Sequence, residues 1–119
     1  MKTDAELVAT KLLGWDNKPN DLLGWDKDGR WRTAERFNGL PIVRTLDWLT
    51  TGDGMVAILE ALREKGVYLK IDTTFDGHQW YVGQSLVSWD EKYGSPAVAD
   101  TLPEAVLAAA ASALRAEDG

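Results

Sequence analysis

The chain has 119 residues, of which 45% are hydrophobic and 27% are charged, as in a single globular domain and unlike a disordered or fibrous chain. It contains no cysteine, which excludes disulfides, thiol nucleophiles and cysteine-based zinc sites. Its formal net charge of −6 argues against binding to duplex nucleic acid or to an anionic membrane, so we expect one domain over residues 1–119 with neither of these partners.

The first predicted helix begins at Thr3. Residues Thr3 to Glu6 form a capping box, in which the threonine hydroxyl accepts a hydrogen bond from the amide three residues on and the glutamate reaches back. Gly14 is a typical helix end. Between these signals the helix carries one apolar stripe, which consists of Ala5, Val8, Ala9 and Leu12.

The stretch between the first two helices is rich in Trp, Asp and Gly and has no regular hydrophobic period. The segment from Trp25 to Trp31 predicts a small hairpin whose loop, 27–29, ends in a left-handed glycine and whose two tryptophans face each other. The dipeptide Asn38-Gly39 and Pro41 indicate further turns. We therefore expect a tryptophan-rich hairpin inside an otherwise irregular segment.

The second predicted helix spans about 53–65. Either Thr51 or Asp53 can cap its first turn, and Gly66 ends it. Its apolar residues recur at helical spacing and are Met55, Ile58, Leu59 and Leu62.

The clearest strand pattern surrounds Asp76-Gly77, which predicts a two-residue hairpin turn. The register that this turn sets pairs Thr73 with Trp80, Ile71 with Val82, and Leu69 with Gln84. One face of the hairpin then carries Val67, Leu69, Ile71, Trp80, Val82 and Leu86, and the other carries Tyr68, Lys70, Asp72, Gln79, Tyr81 and Ser85. Because a single register separates apolar from polar side chains in both strands, the alternation supports it.

A third strand is predicted near 97–100, followed by a second capping box over Thr101 to Glu104 with a proline in the first turn. The last helix extends to about Arg115, and its many alanines allow other elements to approach it closely. Together the elements predict an α+β fold, a small antiparallel sheet with helices on both faces (an α/β/α sandwich), with about three helices and the tryptophan-rich hairpin.

The sequence offers little that supports catalysis. Its one histidine, His78, directly follows the predicted turn, a position typical of an exposed loop. No nucleophile elbow and no glycine-rich nucleotide fingerprint is present. Residues 26–29 resemble the start of a calcium loop, but Arg30 at the next ligand position opposes a cation. We therefore expect no catalytic residues, no metal site and no cofactor.

Arginine and tryptophan offer binding chemistry instead. Four of the six arginines fall within 30–44 with Glu35 as the one opposing charge, and guanidinium groups suit phosphate oxygens. The tripeptide at 30–32 places an indole between two arginines, and indole or phenol rings can stack on nucleobases. The alternative is a solvated loop whose arginines pair with surplus carboxylates. The candidate ligand-binding residues are Arg30, Trp31, Arg32, Arg36 and Tyr81.

Five segments form one wider pattern. They are the helix Glu6–Trp15 that ends in Gly-Trp, the tryptophan-rich stretch through Trp31, the helix end Leu62–Gly66, the two strands with Trp80, and the helix start Ala99–Ala105. This pattern resembles the phage ABA-sandwich domain family over most of the chain. The resemblance implies a phage or prophage protein in the cytoplasm of a host bacterium, in keeping with the absence of a basic-then-apolar leader.

Some members of that family are Thoeris anti-defence sponges, non-enzymatic oligomers that sequester cyclic nucleotide-derived immune signals in pockets between subunits. The resemblance therefore implies a homo-oligomer that binds a small phosphorylated nucleotide signal for immune evasion. It assigns no pocket residues. From the residues themselves, we expect Arg30, Arg32 and Arg36 to hold the phosphates and Trp31 or Tyr81 to stack on the base. Two alternatives stay open. The chain can be a protein–protein adaptor or inhibitor of a host protein with no small ligand, which uses the sheet face around Tyr68 and Tyr81, or a hydrolase of such a signal.

Overall fold

The computed structural model describes residues 3–16, 30–84 and 96–118. In chain order, its elements are α1 (Asp4–Leu7, continued as a π-helical segment over Val8–Leu12), β1 (Arg30–Phe37), β2 (Leu40–Thr45), a 3-10 segment (Leu46–Thr50), α2 (Gly52–Glu64), β3 (Leu69–Thr73), β4 (Trp80–Gln84), β5 (Ala97–Ala99) and α3 (Leu102–Asp118). The predicted hairpin loop at 27–29 and Trp25 lie outside the described residues, as do Ser85 and Leu86.

The three helices begin at the predicted caps. The Thr3 hydroxyl accepts a hydrogen bond from the Glu6 amide at 3.2 Å, and the Thr51 hydroxyl accepts one from the Gly54 amide at 3.2 Å. At α3 the Thr101 hydroxyl accepts one from the Glu104 amide at 3.4 Å. These bonds satisfy amides that have no partner within the first helical turn. The predicted stops are confirmed as well, because Gly14 and Gly66 take φ values of 71° and 80°.

Helix α3 lies at the centre of the core. It packs against β4 and β5 on one side and against α1 and α2 on the others. Its buried side chains are mostly methyl groups, so neighbouring backbones can approach it closely, and they include Ala105, Val106, Ala109, Ala110, Ala113 and Leu114. The opposing elements contribute Leu49, Ile58, Leu62 and Val82, each less than 2% exposed. The alanine-rich sequence of α3 thus sets how closely the sheet and helices pack.

The predicted register of β3 and β4 is confirmed. Thr73 pairs with Trp80, Ile71 with Val82, and Leu69 with Gln84. The predicted two-residue turn is wrong, since the Gly77 amide donates to the Thr74 carbonyl at 2.8 Å and the loop spans 75–78. A four-residue loop centred on the same dipeptide preserves the register. Strand β5 then adds antiparallel to β4, in the order β3-β4-β5.

Strands β1 and β2 occupy a stretch that the sequence predicts to be irregular. They form a separate two-stranded antiparallel sheet, closed by Asn38 and Gly39, whose φ values of 53° and 80° are typical of a type I′ turn. Pro41 lies within β2 rather than in a turn. The register shifts between Arg32 and Arg36, and this irregularity removes the strict alternation by which a strand is recognised from sequence.

The α+β class is confirmed, with three helices and small antiparallel sheets in a sandwich-like arrangement. The difference from the prediction is that the strands form two sheets rather than one. Within the described ranges, none of the helices has the length and apolar character needed to cross a lipid bilayer.

We predict that Gly54→Ala destabilises the protein because α2 and the 3-10 segment touch at this position. An added Cβ would meet the Trp48 carbonyl oxygen and lie 2.8 Å from the Leu49 Cα, both backbone atoms. We expect urea denaturation to show a loss of about 2 to 3 kcal/mol in the free energy of unfolding. Gly52→Ala is the matched control, since its Cβ meets nothing within 4 Å, and it should gain about 0.5 kcal/mol. Equal stability of the two variants would contradict this account.

We predict an Asp76 carboxylate that titrates below the ordinary aspartate range. The Thr74 hydroxyl donates to it at 2.6 Å and the His78 amide at 3.1 Å, and these bonds lower the pKa of Asp76. A pKa depressed by folding adds stability above the unfolded-state pKa, and this stability is lost as the pH falls through the folded-state pKa. NMR titration should show that Thr74→Val raises the Asp76 pKa and that Thr50→Val, in a distant turn, does not. An unchanged pKa in Thr74→Val would count against the hydrogen bonds as its cause.

Candidate functional site

The five residues predicted to bind a ligand do not form one site. Trp31 is 8% exposed and belongs to the core. Successive strand residues point to opposite faces, so Arg32 lies on the face of β1 opposite to Trp31. The structure therefore does not bring the Trp31 indole and the Arg32 guanidinium together on one surface, because these neighbours alternate between the two faces of β1.

Arg32 has a structural partner at the end of α1. Its Nη2 lies 2.9 Å from Asp16 Oδ2. The backbones of the same two residues exchange hydrogen bonds of 2.9 and 2.7 Å. The Arg32 guanidinium thus pairs with a carboxylate, which agrees with the alternative interpretation that arginines of this segment pair with surplus acidic residues.

Arg36 and Tyr81 lie elsewhere. Arg36 is exposed near the hairpin tip, where its Nη1 donates to the Gly39 carbonyl at 3.3 Å. Tyr81 belongs to the other sheet, paired with Asp72 and Val98. It points away from α3, since the adjacent Val82 is the buried residue. The predicted ligand site therefore combines Arg36 and Tyr81, which the fold places in different sheets.

A cavity of about 390 Å³ lies between the β1–β2 hairpin and α2. We call it the hairpin–helix cavity. Its aromatic wall consists of Trp15, which follows α1, and Trp48 in the 3-10 segment, and the wall on the α2 side carries Ala57 and Ala61. Its polar lining consists of Thr33, Glu35, Arg44, Glu60 and Glu64.

Arg44 lies flat against Trp48 in this cavity. The guanidinium carbon is 4.0 Å from the centre of the indole ring, within the range of a cation–π contact. Its Nη2 donates to Glu35 Oε2 at 3.3 Å. Trp15 contacts Trp48 with ring centres 5.8 Å apart and a tilt of 37°. The result is a cluster of one guanidinium and two mutually tilted indoles, with Trp48 between Arg44 and Trp15.

The irregularity in β1 positions this cluster. The buried Thr33 hydroxyl accepts a hydrogen bond from the Glu35 amide at 3.2 Å, which turns the chain within the shifted register. The turned strand brings the Glu35 carboxylate to Arg44 on β2. The Arg44 Nε is buried and has no hydrogen-bond partner among the described residues.

The cavity is acidic. Glu35, Glu60 and Glu64 against Arg44 leave two net negative charges in its lining. The described residues contain no group of three His, Asp or Glu side chains placed to hold a metal ion. The carboxylates can accept hydrogen bonds from amino, ring N–H or hydroxyl groups, and they oppose phosphate groups at the same place.

Sequence reasoning assigned these residues differently. Trp15 is 7% exposed and belongs to the core, whereas Trp48 is partly buried and packs against it. Arg44 was counted in the arginine cluster but not in the site. The cavity joins the end of α1, β1, β2, the 3-10 segment and α2. No spacing within the sequence indicates that they meet.

Searches of protein-family models, curated proteins and solved structures give no match to this chain. The resemblance to the phage ABA-sandwich family thus stays a prediction, and the function is argued from the cavity itself.

We predict that Arg44→Gln lowers the free energy of unfolding by about 1 kcal/mol, because it removes the contact with Trp48 and the ion pair with Glu35. The Arg44 side chain is 27% exposed, so solvent screens these contacts only in part. Arg36→Gln removes the same charge from the exposed hairpin tip and should change stability by less than about 0.5 kcal/mol. Urea denaturation measures both, and a larger loss for Arg36→Gln would refute the assignment.

Proposed function

We propose that this chain is a non-enzymatic binding protein that retains a nucleoside-type ligand in the hairpin–helix cavity. Such a ligand has a flat heteroaromatic ring and several hydrogen-bond donors. The observation that carries the proposal is the stacked pair of Arg44 and Trp48 in a cavity whose other charged groups are carboxylates. A volume of about 390 Å³ lies within the range of small-molecule sites.

The guanidinium of Arg44 and the indole of Trp48 suit the ring of such a ligand. Nucleobases stack on indoles and on arginine planes, each stack contributing about 1 to 3 kcal/mol. Because Arg44 already covers one face of Trp48, the incoming ring would stack on the guanidinium itself or against the exposed part of the indole.

The carboxylates suit the donors of the ligand. Glu60 and Glu64 lie one helical turn apart on the same face of α2, and both line the cavity. Carboxylates accept from the amino group of a base and from the hydroxyls of a ribose. The phosphates of a nucleotide would lie outside the cavity, away from these charges. This differs from the sequence-based expectation that Arg30, Arg32 and Arg36 hold phosphates.

The biological setting of the proposal comes from the sequence resemblance. In this setting the chain is a phage-encoded protein that sequesters a cyclic nucleotide-type immune signal in the host cytoplasm. Such a protein has to bind the signal tightly and does not have to catalyse any reaction on it. A cavity that grips the base and sugar supports that role. The expected homo-oligomer stays part of this setting, but the proposed ligand site lies within each chain rather than between subunits.

Titration calorimetry with adenosine, guanosine, cyclic AMP and cyclic dinucleotides tests the proposal. We expect Ala57→Leu, which fills the cavity from α2, to weaken binding at least about tenfold. Glu104→Gln, exposed at the start of α3, is a control that should leave affinity unchanged. Mass spectrometry after denaturation should return the ligand intact. Recovery of products would show an enzyme, and no binding by any of these compounds would end the proposal.

Replacing the cavity carboxylates tests how the ligand is held. If Glu60 and Glu64 accept hydrogen bonds from the ligand, Glu60→Gln and Glu64→Gln should each weaken binding by about threefold to tenfold. If ligand phosphates instead enter the cavity, removing negative charge should tighten binding. The sign of the change, measured in the same titrations, therefore decides between base recognition and phosphate recognition.

A protein–protein adaptor or inhibitor is the second candidate. It is favoured by the hairpin tip, where Phe37 and Leu40 face each other across the strands and are 71% and 67% exposed. Capture of a defined host protein that is lost in a Phe37→Ser, Leu40→Ser variant and kept in Ala57→Leu would support this function over ligand binding.

A further inference from the structure

The outer edge of β3 is open among the described residues. In the sheet order β3-β4-β5, β3 has a strand on one side only, and four of its five residues are exposed. Helix α3 packs on β4 and β5. Ile71 therefore stays 39% exposed, although it shares the face of its fully buried partner Val82. An apolar side chain and an unpaired strand backbone thus lie side by side at this edge.

The hydrogen-bond pattern shows which backbone groups face outward. The Thr74 amide donates to the Gln79 carbonyl at 2.9 Å, so in this register the groups of Thr74, Asp72 and Lys70 point to β4. The alternate residues Ile71 and Thr73 direct their amides to the open edge. The Thr73 amide is bound there by Asp72 Oδ1 at 2.8 Å. The amide and carbonyl of Ile71 are the central pair that an added strand would meet.

We propose that this edge pairs with the same edge of a second copy of the chain, in an antiparallel arrangement whose twofold axis passes through Ile71. This pairing is β-strand addition in an isologous dimer. It would join the two three-stranded sheets into one sheet of about six strands. The proposal goes beyond ligand binding and does not depend on it.

Charge complementarity identifies a second copy as the partner. With Ile71 opposite its own symmetry mate, Lys70 of one chain faces Asp72 of the other, and this happens twice across the axis. These are pairs without backbone hydrogen bonds, whose side chains lie closest together. On the other face the isoleucines meet, and Val67 faces the fully exposed Phe75. On pairing, the Asp72 carboxylate would lose its hydrogen bond from the Thr73 amide and form an ion pair with Lys70 of the second copy.

The same charges exclude neighbouring registers. A slip of two residues in one direction would place Lys70 opposite Lys70 of the second copy, and a slip in the other direction would place Asp72 opposite Asp72. Like charges directly opposite each other are destabilising. A slip of one residue would move Ile71 to the opposite face from its mate. One register alone thus combines apolar contact with opposite charges.

Sedimentation velocity over a roughly hundredfold range of protein concentration tests the proposal, and a small interface predicts a reversible dimer of micromolar affinity. We expect Lys70→Asp and Asp72→Lys each to raise the dissociation constant at least about tenfold, since each creates two like-charge contacts. A mixture of the two variants should form a heterodimer, because its contacts are again opposite in charge. Asp47→Lys, on the exposed 3-10 segment, is the control for the charge change and should dimerise like the wild type.

Thermal melts should show that all variants are folded, because the substituted side chains are exposed. Amide exchange gives a second measurement, in which protection of the Ile71 amide should rise with concentration in the wild type and not in Lys70→Asp. The proposal is overturned if the wild type stays monomeric, if the two variants dimerise unchanged, or if their mixture fails to associate. Protection of this amide that is independent of concentration would show that another part of the same chain covers the edge, and would also overturn it.

Discussion

The close approach of the Trp48 backbone to α2 at Gly54 is the contact on which the candidate site depends. A side chain at this position would collide with backbone atoms of Trp48 and Leu49, so only glycine lets the 3-10 segment lie directly against the helix. Leu49 is fully buried next to this contact, and Trp48 lines the same cavity as Ala57 and Ala61 of α2. The β1–β2 hairpin, which carries Arg44, lies farther from α2 than the 3-10 segment does. The cavity is the space between this hairpin and α2.

Three arginines of the described residues form ion pairs with neighbouring elements. Arg32 ties β1 to the end of α1 through Asp16, Arg44 lies between Glu35 and Trp48, and Arg115 pairs with Asp4 at the start of α1. Each pair is partly exposed, so its contribution to stability is modest. The paired carboxylates neutralise guanidinium groups that could otherwise attract phosphate. The cavity therefore differs from the phosphate site that the arginine content predicts. The composition already indicates why, because 19 acidic residues against 13 basic ones supply carboxylates that pair with the arginines.

Local signals made most of the fold predictable from the sequence. The caps at Thr3, Thr51 and Thr101 depend on neighbouring residues only, and the register of β3 with β4 follows from alternation about one dipeptide. The β1–β2 sheet was missed because Thr33 turns the chain inside the strand and breaks that alternation. The candidate site was missed for a different reason. Trp15, Arg44 and Glu64 are far apart in sequence, and only the tertiary fold brings them to the lining of one cavity.

The sheet edges of the described part are protected in different ways, and the differences explain why β3 is the edge with a partner still to be found. The Asp16 bridge covers the outer side of β1. Pro41 removes a donor from the edge strand β2. Strand β5 has three residues, too few for extensive pairing. Strand β3 has five, and its protection consists of a lysine and an aspartate two residues apart. Charged side chains at an edge disfavour pairing with unrelated strands. In an antiparallel second copy of β3, however, Lys70 lies opposite Asp72 and Asp72 opposite Lys70. The charges that protect this edge from general aggregation therefore favour its pairing with itself.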